Sequence, residues 1–440
     1  MKDTLRVGLA GLGTVGASVV ELISRHGNEL ATRSGRAITI TAVSARNRSR
    51  DRGVDLSGYA WFDDPVALAT SPDIDVFVEL IGGASGPADA AVRAALAAGK
   101  HVVTANKALL AAHGVALAGL AEENGVSLNF EAAVAGGIPI VKTLREGLAG
   151  NSVERVYGIM NGTCNYILTE MERERRSFAD CLADAQALGY AEADPTFDVE
   201  GFDTAHKLAI LTSLAFGCEI DAEAIYVEGI SSISLADIEA ADELGYRIKL
   251  LGVAQRTETG IEQRVHPTMV PKGSAIAQID GVLNAVAVDG DYVGEIVLVG
   301  PGAGGKATAS AVVADMADLA RGDTMPTLGR PVAALEPYRR ARMRRHEGGY
   351  YIRLSVNDRP GAFAAIAKRM AEKDISLESI VQRQRAPRSD ARAGKEAKPQ
   401  PVVLITYETT ESAIREALDR IAADEVIAEV PQMIRIEKLV

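Results

Sequence analysis

The sequence predicts an α/β fold built from three successive parts, and three observations indicate it. Apolar strands alternate with helices over residues 1–135, which is typical of a parallel sheet of the Rossmann type. Residues 136–306 combine helices with strands of alternating polarity, which favours an α+β part with one open sheet. Residues 350–440 follow the order βαββαβ, which is the ferredoxin-like arrangement.

The first part contains five predicted strands separated by helical segments. The strands share short runs of Val, Ile and other apolar residues, bounded by turn-forming residues. They are "LRVGLAG" from Leu5, "AITITAVSA" from Ala37, "DIDVFVELIGG" from Asp73, "HVVTAN" from His101 and "SLNFEAAV" from Ser127. A helix at residues 307–321 is expected to pack back on this part and to complete it.

The second part contains strands in which polar and apolar residues alternate. They are "SVERVYGIM" from Ser152, "GYRIKLLGVAQ" from Gly245, "IEQRVHPTMV" from Ile261 and "AVAVDGDYVGEIVLVG" from Ala285. Residues 322–349 contain three prolines and a basic run, and they are predicted to be a solvated linker. In the third part, residues 386–400 are polar, which predicts a mobile hairpin loop.

Composition excludes several classes of protein. The 440 residues carry a formal net charge of −12, which argues against nucleic acid or an anionic membrane as the main partner. Three cysteines are too few, and odd in number, for a disulfide framework. No apolar run is long enough to cross a bilayer, and the N-terminus leads directly into a strand without a signal peptide. The sequence therefore predicts a soluble cytoplasmic protein.

A glycine-rich turn follows the first strand. In "GLAGLGTVG", Gly11, Gly13 and Gly16 form the pattern G-x-G-x-x-G, with Thr14 and Val15 between the last two. Such glycines allow a tight turn and close approach of a pyrophosphate, and the helix that follows supplies amide donors. This context favours a dinucleotide site over a glycine-rich turn that binds no nucleotide.

The end of the second strand indicates which dinucleotide is bound. An NAD site usually has an acidic residue there, which binds the ribose 2′-hydroxyl. In "SARNRSRDR", Arg46, Arg48 and Arg50 occupy that region, and a guanidinium suits a 2′-phosphate. The pattern favours NADP, with NAD as the second choice. A solvated basic loop is the alternative interpretation.

The segment "EGFDTAHKLAILTSLAFG" begins a buried helix with charged residues. Asp203 and Lys207 are four residues apart, so they share a helix face. They form either a surface ion pair or a proton donor with its partner, and the apolar residues that follow favour burial. His206 is interpreted as a structural histidine. Cys164, in "NGTCN", is interpreted as a small buried residue and not as a nucleophile.

Seven stretches together resemble homoserine dehydrogenase with a C-terminal ACT regulatory domain, over nearly the full length. They are "GLGTVG", "ELIGG", "VVTANKALLA", "FEAAVAGGIPI", "GIMNGTCNYIL", "GYAEADPTFDVEGFDTAHKLAIL" and "GPGAGG". The resemblance implies NAD(P)-dependent interconversion of L-aspartate 4-semialdehyde and L-homoserine, on the path to threonine, isoleucine and methionine. Two alternatives stay open, a phosphorylating aspartate-semialdehyde dehydrogenase and a catalytically silent amino-acid sensor.

The resemblance assigns roles to residues of the second part and its neighbours. Lys207 matches the proton-donating lysine and Asp203 its acidic neighbour, which can also bind the substrate ammonium. Glu192 matches the glutamate that binds the substrate's amino group. Lys107 matches a lysine beside the nicotinamide and the reacting carbon, with Thr104 close by. An ammonium aimed at the carbonyl oxygen would stabilise its growing negative charge and then donate a proton.

The resemblance also implies a monovalent cation, Na⁺ or K⁺. Its site would be formed largely by main-chain carbonyl groups, at Glu131, Val134, Gly136 and Ile138. Glu131 as an ordinary strand-end carboxylate is the alternative interpretation. Gly302, in "GPGAGG", matches a glycine near the cofactor.

The third part resembles an ACT module around "LSVNDRPGAFAAIA". Gly361 lies where the first strand turns into the first helix, and free amides there could hold the carboxylate of an amino acid. Asn357, Asp358 and Ala362 flank it. The resemblance implies L-threonine as a feedback effector, and a homodimer or homotetramer as the assembly. A module used only for dimer contacts is the alternative.

Overall fold

The structure is a computed structural model that describes residues 4–341, 347–357, 359–382 and 399–437. The strands are β1 (Thr4–Ala10), β2 (Ala37–Ser44), β3 (Ala60–Phe62), β4 (Val76–Glu79), β5 (His101–Thr104), β6 (Leu128–Asn129), β7 (Val153–Ile159), β8 (Tyr226–Val227), β9 (Tyr246–Thr257), β10 (Gly260–Pro271), β11 (Leu283–Gly290), β12 (Gly294–Pro301), β13 (Glu347–Val356), β14 (Leu377–Gln382), β15 (Gln400–Thr406), β16 (Thr409–Thr410) and β17 (Gln432–Ile436).

The helices are α1 (Thr14–Ser34), α2 (Pro65–Ala69), α3 (Pro87–Ala97), α4 (Lys107–Glu123), α5 (Ile140–Lys142), α6 (Gly162–Glu174), α7 (Phe178–Ala187), α8 (Thr196–Val199), α9 (Phe202–Phe216), α10 (Leu235–Glu243), α11 (Gly305–Arg321), α12 (Ala362–Ala371) and α13 (Glu411–Ala423). Short 3₁₀ turns span Glu131–Ala133, Ile276–Gln278 and Val332–Ala334, and a π-helical turn spans Thr143–Gly147. None of the described helices is long and apolar enough to cross a membrane.

The first sheet is parallel and has the order β3-β2-β1-β4-β5-β6, which confirms the Rossmann-type prediction. Its central strands β1, β4 and β5 are largely buried because helices cover both faces. α1 and α11 share one core with β1 and β2, in which Val19, Val312 and Met316 pack. Leu96 of α3 and Leu117 of α4 belong to the core on the other face. The helix near residues 307–321 therefore packs on the first sheet, as the sequence predicts.

The second sheet joins the middle and C-terminal parts of the chain. Within the described ranges its main path is β12-β11-β7-β9-β10-β17-β13-β15-β14, with β8 and β16 paired beside it. The join is a short parallel pairing of β10 with β17, in which Thr268 pairs with Arg435 and Met269 with Ile436. The sequence predicts two separate sheets here, because nothing in the periodicity of β10 or β17 shows which strand lies beside it.

The C-terminal strands have the order β17-β13-β15-β14, with α12 and α13 packed against one face. This order and the element sequence βαββαβ are those of the ferredoxin-like arrangement, so that prediction is confirmed. Most of the hairpin loop predicted at residues 386–400 lies outside the described residues, as does the centre of the basic run.

Two local predictions differ from the structure. The strand expected from Ser127 ends at Asn129, because the chain turns into a 3₁₀ helix at Glu131–Ala133. The described part of the predicted linker, residues 322–341, is mostly exposed, but it is anchored to the rest of the fold at several points. Leu328 is buried, Cys218 and Glu336 form a β-bridge, and the hydroxyl of Tyr338 donates to the carbonyl of Ile261 at 2.9 Å.

Candidate active site

Helix α9 carries the charged pair predicted from the sequence. It begins after Gly201 and ends at Gly217, both in the left-handed conformation, with φ of 87° and 68°. Such φ values favour glycine and stop the helix at both ends. The helix is apolar along most of its length and runs through the core. Asp203 and Lys207 are therefore buried with it, at 5% and 8% exposure.

Three elements meet at the carboxylate of Asp203. Lys207 Nζ donates to Asp203 Oδ2 at 2.7 Å and to the carbonyl of Met160, just after β7, at 2.6 Å. Lys107, the first residue of α4, has its Nζ 3.2 Å from Asp203 Oδ1. Two ammonium groups therefore lie on one carboxylate at the junction of the first and second parts. The pair is not a surface ion pair.

The charge of this cluster is set by competing effects on Asp203. Burial raises the pKa of the Asp203 carboxyl, but the ammonium groups of Lys207 and Lys107 and the hydrogen bonds from Lys207 and Asn161 together outweigh burial. The net result is a pKa lowered to about 2. Asp203 is therefore a carboxylate at neutral pH, and it holds both lysines in fixed positions.

Asn161 and Asp198 join this cluster, although the sequence analysis did not single them out. Asn161 Nδ2 donates to Asp203 Oδ2 at 2.9 Å and to Asp198 Oδ1 at 2.8 Å. Its Oδ1 caps α6 by accepting from the amide of Cys164. Burial raises the pKa of the half-buried Asp198, against the hydrogen bond from Asn161. The sequence places Asp198 only five residues before Asp203, which is a possible sign that the two carboxylates lie close together. Their actual distance depends on α8 and on the turn after it, which the sequence analysis did not predict.

The structure places Glu192 apart from this cluster. Glu192 is exposed in the segment after α7, where its main-chain carbonyl accepts from Gln186 Nε2. Among the described residues, no hydrogen bond or ion pair joins its carboxylate to Asp203 or Lys207.

Cys164 has the buried environment that the sequence suggests, whereas the buried Nδ1 of His206 makes no hydrogen bond with any described residue. His206 makes an edge-to-face contact with Phe197, and burial and the nearby Lys107 charge lower its pKa. Cys164 is fully buried, and burial raises the pKa of its thiol well above the usual range. Its Sγ donates to the carbonyl of Asp198. A protonated thiol without a base is a poor nucleophile, which argues against the phosphorylating alternative.

The glycine-rich turn has the geometry of a dinucleotide loop. A side chain at Gly11, whose φ is 100°, would lie 2.3 Å from the carbonyl oxygen of Leu80. One at Gly16 would lie 2.1 Å from the carbonyl oxygen of Gly11. A cavity of about 400 Å³ opens in front of this turn, with Gly13 and Thr14 on its wall at the start of α1. The N-terminal amides of α1 suit a phosphate in this cavity.

Arginines line the opposite wall of the cavity. They are Arg50 and Arg52, and Arg52 Nε also donates to the carbonyl of Leu12 at 3.0 Å. The guanidinium groups of Arg48 and Arg52 lie over Trp61, each 5.7 Å from the ring centre. Arg46 is exposed just beyond β2. The sequence analysis named the first three arginines of this loop and missed Arg52, which lies further from the strand end.

Thr104 is buried and supports a neighbouring loop. Its hydroxyl donates to Glu79 Oε2 at 2.6 Å. The other oxygen of Glu79 accepts from the amides of Ile81 and Gly82, at 2.7 and 2.8 Å. The fully buried Glu79 therefore shapes the "ELIGG" turn at the end of β4, a role that strand periodicity does not reveal.

The residues of the expected cation site lie in one turn. The carboxylate of Glu131 accepts from the amides of Val141 and Lys142 at 2.9 and 2.8 Å, and burial raises its pKa to about 7. Among the described residues, the carbonyls of Val134 and Gly136 accept no hydrogen bond, whereas that of Ile138 accepts from Ile140. Free carbonyl oxygens are suitable ligands for a hard cation, so the turn fits one. The described residues contain no cluster of His, Cys, Asp and Glu for another kind of metal site.

Residues 300–305, named here the glycine segment, lie between the two parts. A side chain at Gly302 would be 2.1 Å from Asn284 Cγ, and one at Gly136 would be 2.5 Å from the carbonyl oxygen of Gly302. A side chain at Gly305 would be 2.9 Å from the carbonyl oxygen of Thr14, in the dinucleotide turn. The glycine segment therefore touches the cofactor cavity on one side and the middle sheet on the other.

The residues expected to bind an effector lie at the start of α12. Gly361 has φ of 92° and Ala362 is buried. The amide of Asn357 donates to the carbonyl of Val426 at 2.9 Å, and its side chain donates to the carbonyl of Glu425. Asp358 lies outside the described residues.

Comparison with known proteins identifies the family. Two family models match, "Homoserine dehydrogenase, NAD binding domain" over residues 11–131 and "Homoserine dehydrogenase" over residues 139–317. The homoserine dehydrogenase of Pseudomonas aeruginosa is 46% identical, with 99% of each chain covered. The crystal structure of a homoserine dehydrogenase from Thiobacillus denitrificans is 43% identical, with a TM-score of 0.91 over 99% of this chain and 98% of that one. A hyperthermophilic archaeal homoserine dehydrogenase in complex with NADPH is 25% identical, with a TM-score of 0.62 over 72% of this chain and 97% of that one. The chain therefore belongs to the homoserine dehydrogenase family.

Proposed function

We propose that the cluster of Lys207, Asp203 and Lys107 is the catalytic centre of an NADP-preferring homoserine dehydrogenase. As a member of this family, the chain is an NAD(P)-dependent oxidoreductase that acts on a CH–OH group, between L-aspartate 4-semialdehyde and L-homoserine. One observation carries the proposed centre, namely that the buried ammonium of Lys207 and the half-buried ammonium of Lys107 share one buried carboxylate where the nucleotide-binding and middle parts meet.

Lys207 has the properties of a proton donor to the carbonyl oxygen. When bound, the nicotinamide cofactor supplies the hydride that the carbonyl carbon receives. Negative charge then grows on the oxygen, where the Lys207 ammonium stabilises it and donates the proton that completes the hydroxyl. Asp203 and the carbonyl of Met160 hold the ammonium in place, so little reorganisation is needed. Lys107 adds a second positive charge beside the same oxygen.

We propose Asp198 as a partner of the substrate ammonium, together with the predicted Glu192. Asp203 already accepts from Lys207 and Asn161 and forms an ion pair with Lys107, which leaves little of its charge for a third cation. Asp198 keeps one carboxylate oxygen without a side-chain donor among the described residues, and it lies on the same Asn161 bridge. Glu192 would have to approach from its exposed position.

The preference for NADP is supported by the arginines of the cofactor cavity. Arg50 and Arg52 on its wall provide guanidinium groups for a 2′-phosphate, and the archaeal relative was crystallised with NADPH. The ratio of kcat/KM for NADPH to that for NADH tests this. In R50D the ratio should fall by at least tenfold, and in R46D by less, since Arg46 stands outside the cavity wall. An unchanged ratio in R50D would remove the assignment.

A monovalent cation, Na⁺ or K⁺, would be held by the main-chain carbonyls of Val134 and Gly136, with Glu131 and Ile138 beside them. Its contribution would be to fix the turn against Gly302, because the turn and the glycine segment are in contact. Thermal unfolding in Na⁺, K⁺ and a bulky organic cation at equal ionic strength tests this proposal. The same melting temperature in all three would count against it.

We further propose regulation by L-threonine through the C-terminal part. The left-handed Gly361 at the start of α12 leaves helix N-terminal amides for a carboxylate, which supports an amino-acid site there.

The edge strands β12 and β14 each have one unpaired side among the described residues, which supports a homodimer or homotetramer. The three buried free thiols support a cytoplasmic location.

One assay tests the activity and the regulation together. Purified protein, NADPH and L-aspartate 4-semialdehyde should give NADPH oxidation without added phosphate, and L-threonine should slow it. If the protein instead forms NADPH from L-aspartate 4-semialdehyde and NADP⁺ only when phosphate is added, the phosphorylating alternative is favoured. NADPH binding without turnover would favour the silent sensor.

A further inference from the structure

Asn284, in β11, is a buried residue whose polar atoms have no partner. It is 1% exposed, and neither Nδ2 nor Oδ1 makes a hydrogen bond with any described residue. An amide carries two donors and an acceptor, and burying it without hydrogen-bond partners is unfavourable. A leucine has a similar size and would avoid this cost. The presence of asparagine therefore points to partners that arrive in another state of the enzyme.

The position of Asn284 shows where such partners lie. Its amide plane packs against the α-carbon of Gly302, where a side chain would be 2.1 to 2.3 Å from Cγ, Oδ1 and Nδ2. A side chain at Gly162, next to the active-site Asn161, would be 3.5 Å from Oδ1. Asn284 therefore lies directly behind the glycine segment and beside the catalytic cluster.

The glycine segment has unpaired groups of its own. Among the described residues, the main-chain amides of Gly302 and Ala303 donate no backbone hydrogen bond. Gly304, the N-cap of α11, has φ of 108°, and a side chain there would meet no atom within 4 Å; its carbonyl accepts from the amide of Thr308 at 3.0 Å. On its other side the segment touches Thr14 and Ser18 of the cofactor cavity. A dinucleotide in this cavity would therefore lie beside the residues that the segment contacts.

We propose that Asn284 is a positioning residue that fixes the glycine segment in its cofactor-bound conformation. Its amide makes hydrogen bonds to the main chain of residues 302–303 only when the dinucleotide is bound. This rests on the proposed NADP-dependent function. Asn284 touches neither substrate nor cofactor in this account, and it acts through the segment that closes against the nicotinamide dinucleotide.

The test compares two buried asparagines of equal exposure. Asn165, also 1% exposed, is fully paired: Nδ2 donates to the carbonyls of Ile279, Gly281 and Leu283, and Oδ1 accepts from Lys249. The variants are N284L and N165L. Thermal unfolding is measured without cofactor, and the Kd for NADPH is measured by fluorescence titration.

N284L should unfold without cofactor at the same temperature as the wild type or higher, because an unpaired buried amide is removed. Its Kd for NADPH should rise by about tenfold, since one or two hydrogen bonds of the bound state are lost. N165L should melt at a lower temperature with its Kd unchanged. If N284L melts as low as N165L, the amide is already paired without cofactor and the proposal is wrong.

Hydrogen exchange gives a second measurement that needs only a mild variant. In the wild type, NADPH should slow exchange of the amides of Gly302 and Ala303, and in N284S this protection should be reduced. Equal protection in both proteins would overturn the proposal. A wild-type protein that does not bind NADPH would instead overturn the proposed function, so the two failures are distinguishable.

Discussion

Lys207 is the residue on which the proposed chemistry depends most directly. Replacing it by methionine keeps the length and apolar volume of the side chain and removes only the ammonium. In K207M, kcat for reduction of L-aspartate 4-semialdehyde should fall by about 10²- to 10⁴-fold, because the proton donor is lost. The Kd for NADPH should stay within about twofold of the wild-type value.

Lys249, in β9, provides the matched control, since it is a lysine of even lower exposure than Lys207. Its Nζ donates to the carbonyl of Ile279 at 2.6 Å and to Asn165, away from the catalytic cluster. K249M should lower stability and leave kcat of the folded protein nearly unchanged. Equal kcat values for K207M and K249M would refute the assignment of Lys207.

Asp203 makes stability depend on pH in a defined direction. Its pKa is lowered from 3.8 in the unfolded chain to about 2 in the fold. A lowered pKa contributes stability that is present above about pH 4 and is lost as pH falls toward 2. The contribution is about 2 kcal/mol at neutral pH. D203N should therefore be less stable at pH 7, and its difference from the wild type should shrink below pH 4 in urea titrations. If the stability difference between D203N and the wild type is the same at all pH values, the lowered pKa of Asp203 is not its cause.

At the scale of single residues, the sequence predicts those parts of the site that depend on local spacing. Asp203 and Lys207 share a helix face, and the glycine pattern follows a strand. Asn161, Asp198 and Asn284 were not predicted, because their contacts come from segments far apart in the chain. Their polarity alone does not separate them from surface residues of the same type.

The ends of helix α9 are held by close main-chain packing. A side chain at Gly229, after β8, would lie 2.4 Å from the carbonyl oxygen of Val199 and 2.5 Å from the α-carbon of Glu200. G229A should therefore push the chain that enters α9, move Asp203 and Lys207, and destabilise the fold by about 1–3 kcal/mol. The kcat of G229A should also fall, because Asp203 and Lys207 would be displaced.

Gly273 is the control for that substitution, because it has open space around it and an ordinary φ. G273A should change the free energy of unfolding by less than about 0.5 kcal/mol. Urea unfolding and steady-state kinetics of both variants check the expectation. Similar losses in the two proteins would show that packing at Gly229 is not the cause.

At the scale of elements, long periodic helices and β-branched strands were predicted well, and short or irregular ones were not. β3, α2 and α8 are too short to show a clear period. The described part of the predicted linker packs through hydrogen bonds made by its main chain, as between Glu336 and Gly217. Proline content indicates a break in secondary structure, but it does not show whether the segment is packed.

For the whole molecule, buried ion pairs connect the C-terminal part to the middle part. Arg435, 1% exposed in β17, binds Glu411 of α13 and Glu228 beside β8. Asp237 at the start of α10 accepts from Arg353 of β13 at 2.7 Å. R435M leaves two carboxylates without this guanidinium, which should cost about 3–5 kcal/mol.

The loss in R435M should affect both parts together, because they share one sheet. Hydrogen exchange should increase in β10 as well as in β17, and urea unfolding should keep a single transition. R420M is the control, since Arg420 is half-exposed and its pair with Glu372 should be worth less than about 1 kcal/mol. Increased exchange confined to the C-terminal part would show that the two parts unfold independently.

Element order predicted a parallel sheet, a mixed sheet and a ferredoxin-like arrangement, but it did not predict that the last two share one sheet. The pairing of Thr268 with Arg435 and of Met269 with Ile436 joins strands that are far apart in the chain. Each strand has an ordinary period of two, which identifies the strand and not its neighbour.

The pairing of β10 with β17 has a consequence for how such enzymes gain or lose their C-terminal part. Without residues 347–437, the edge of β10 at Thr268 and Met269 would be exposed. Its peptide groups would have no strand partner, and apolar side chains now buried there would contact solvent. An unpaired strand edge of this kind can pair with a strand of another chain and promote aggregation. A shortened descendant would therefore need protective substitutions, such as an inward charge or a proline, along β10 in addition to an earlier stop codon.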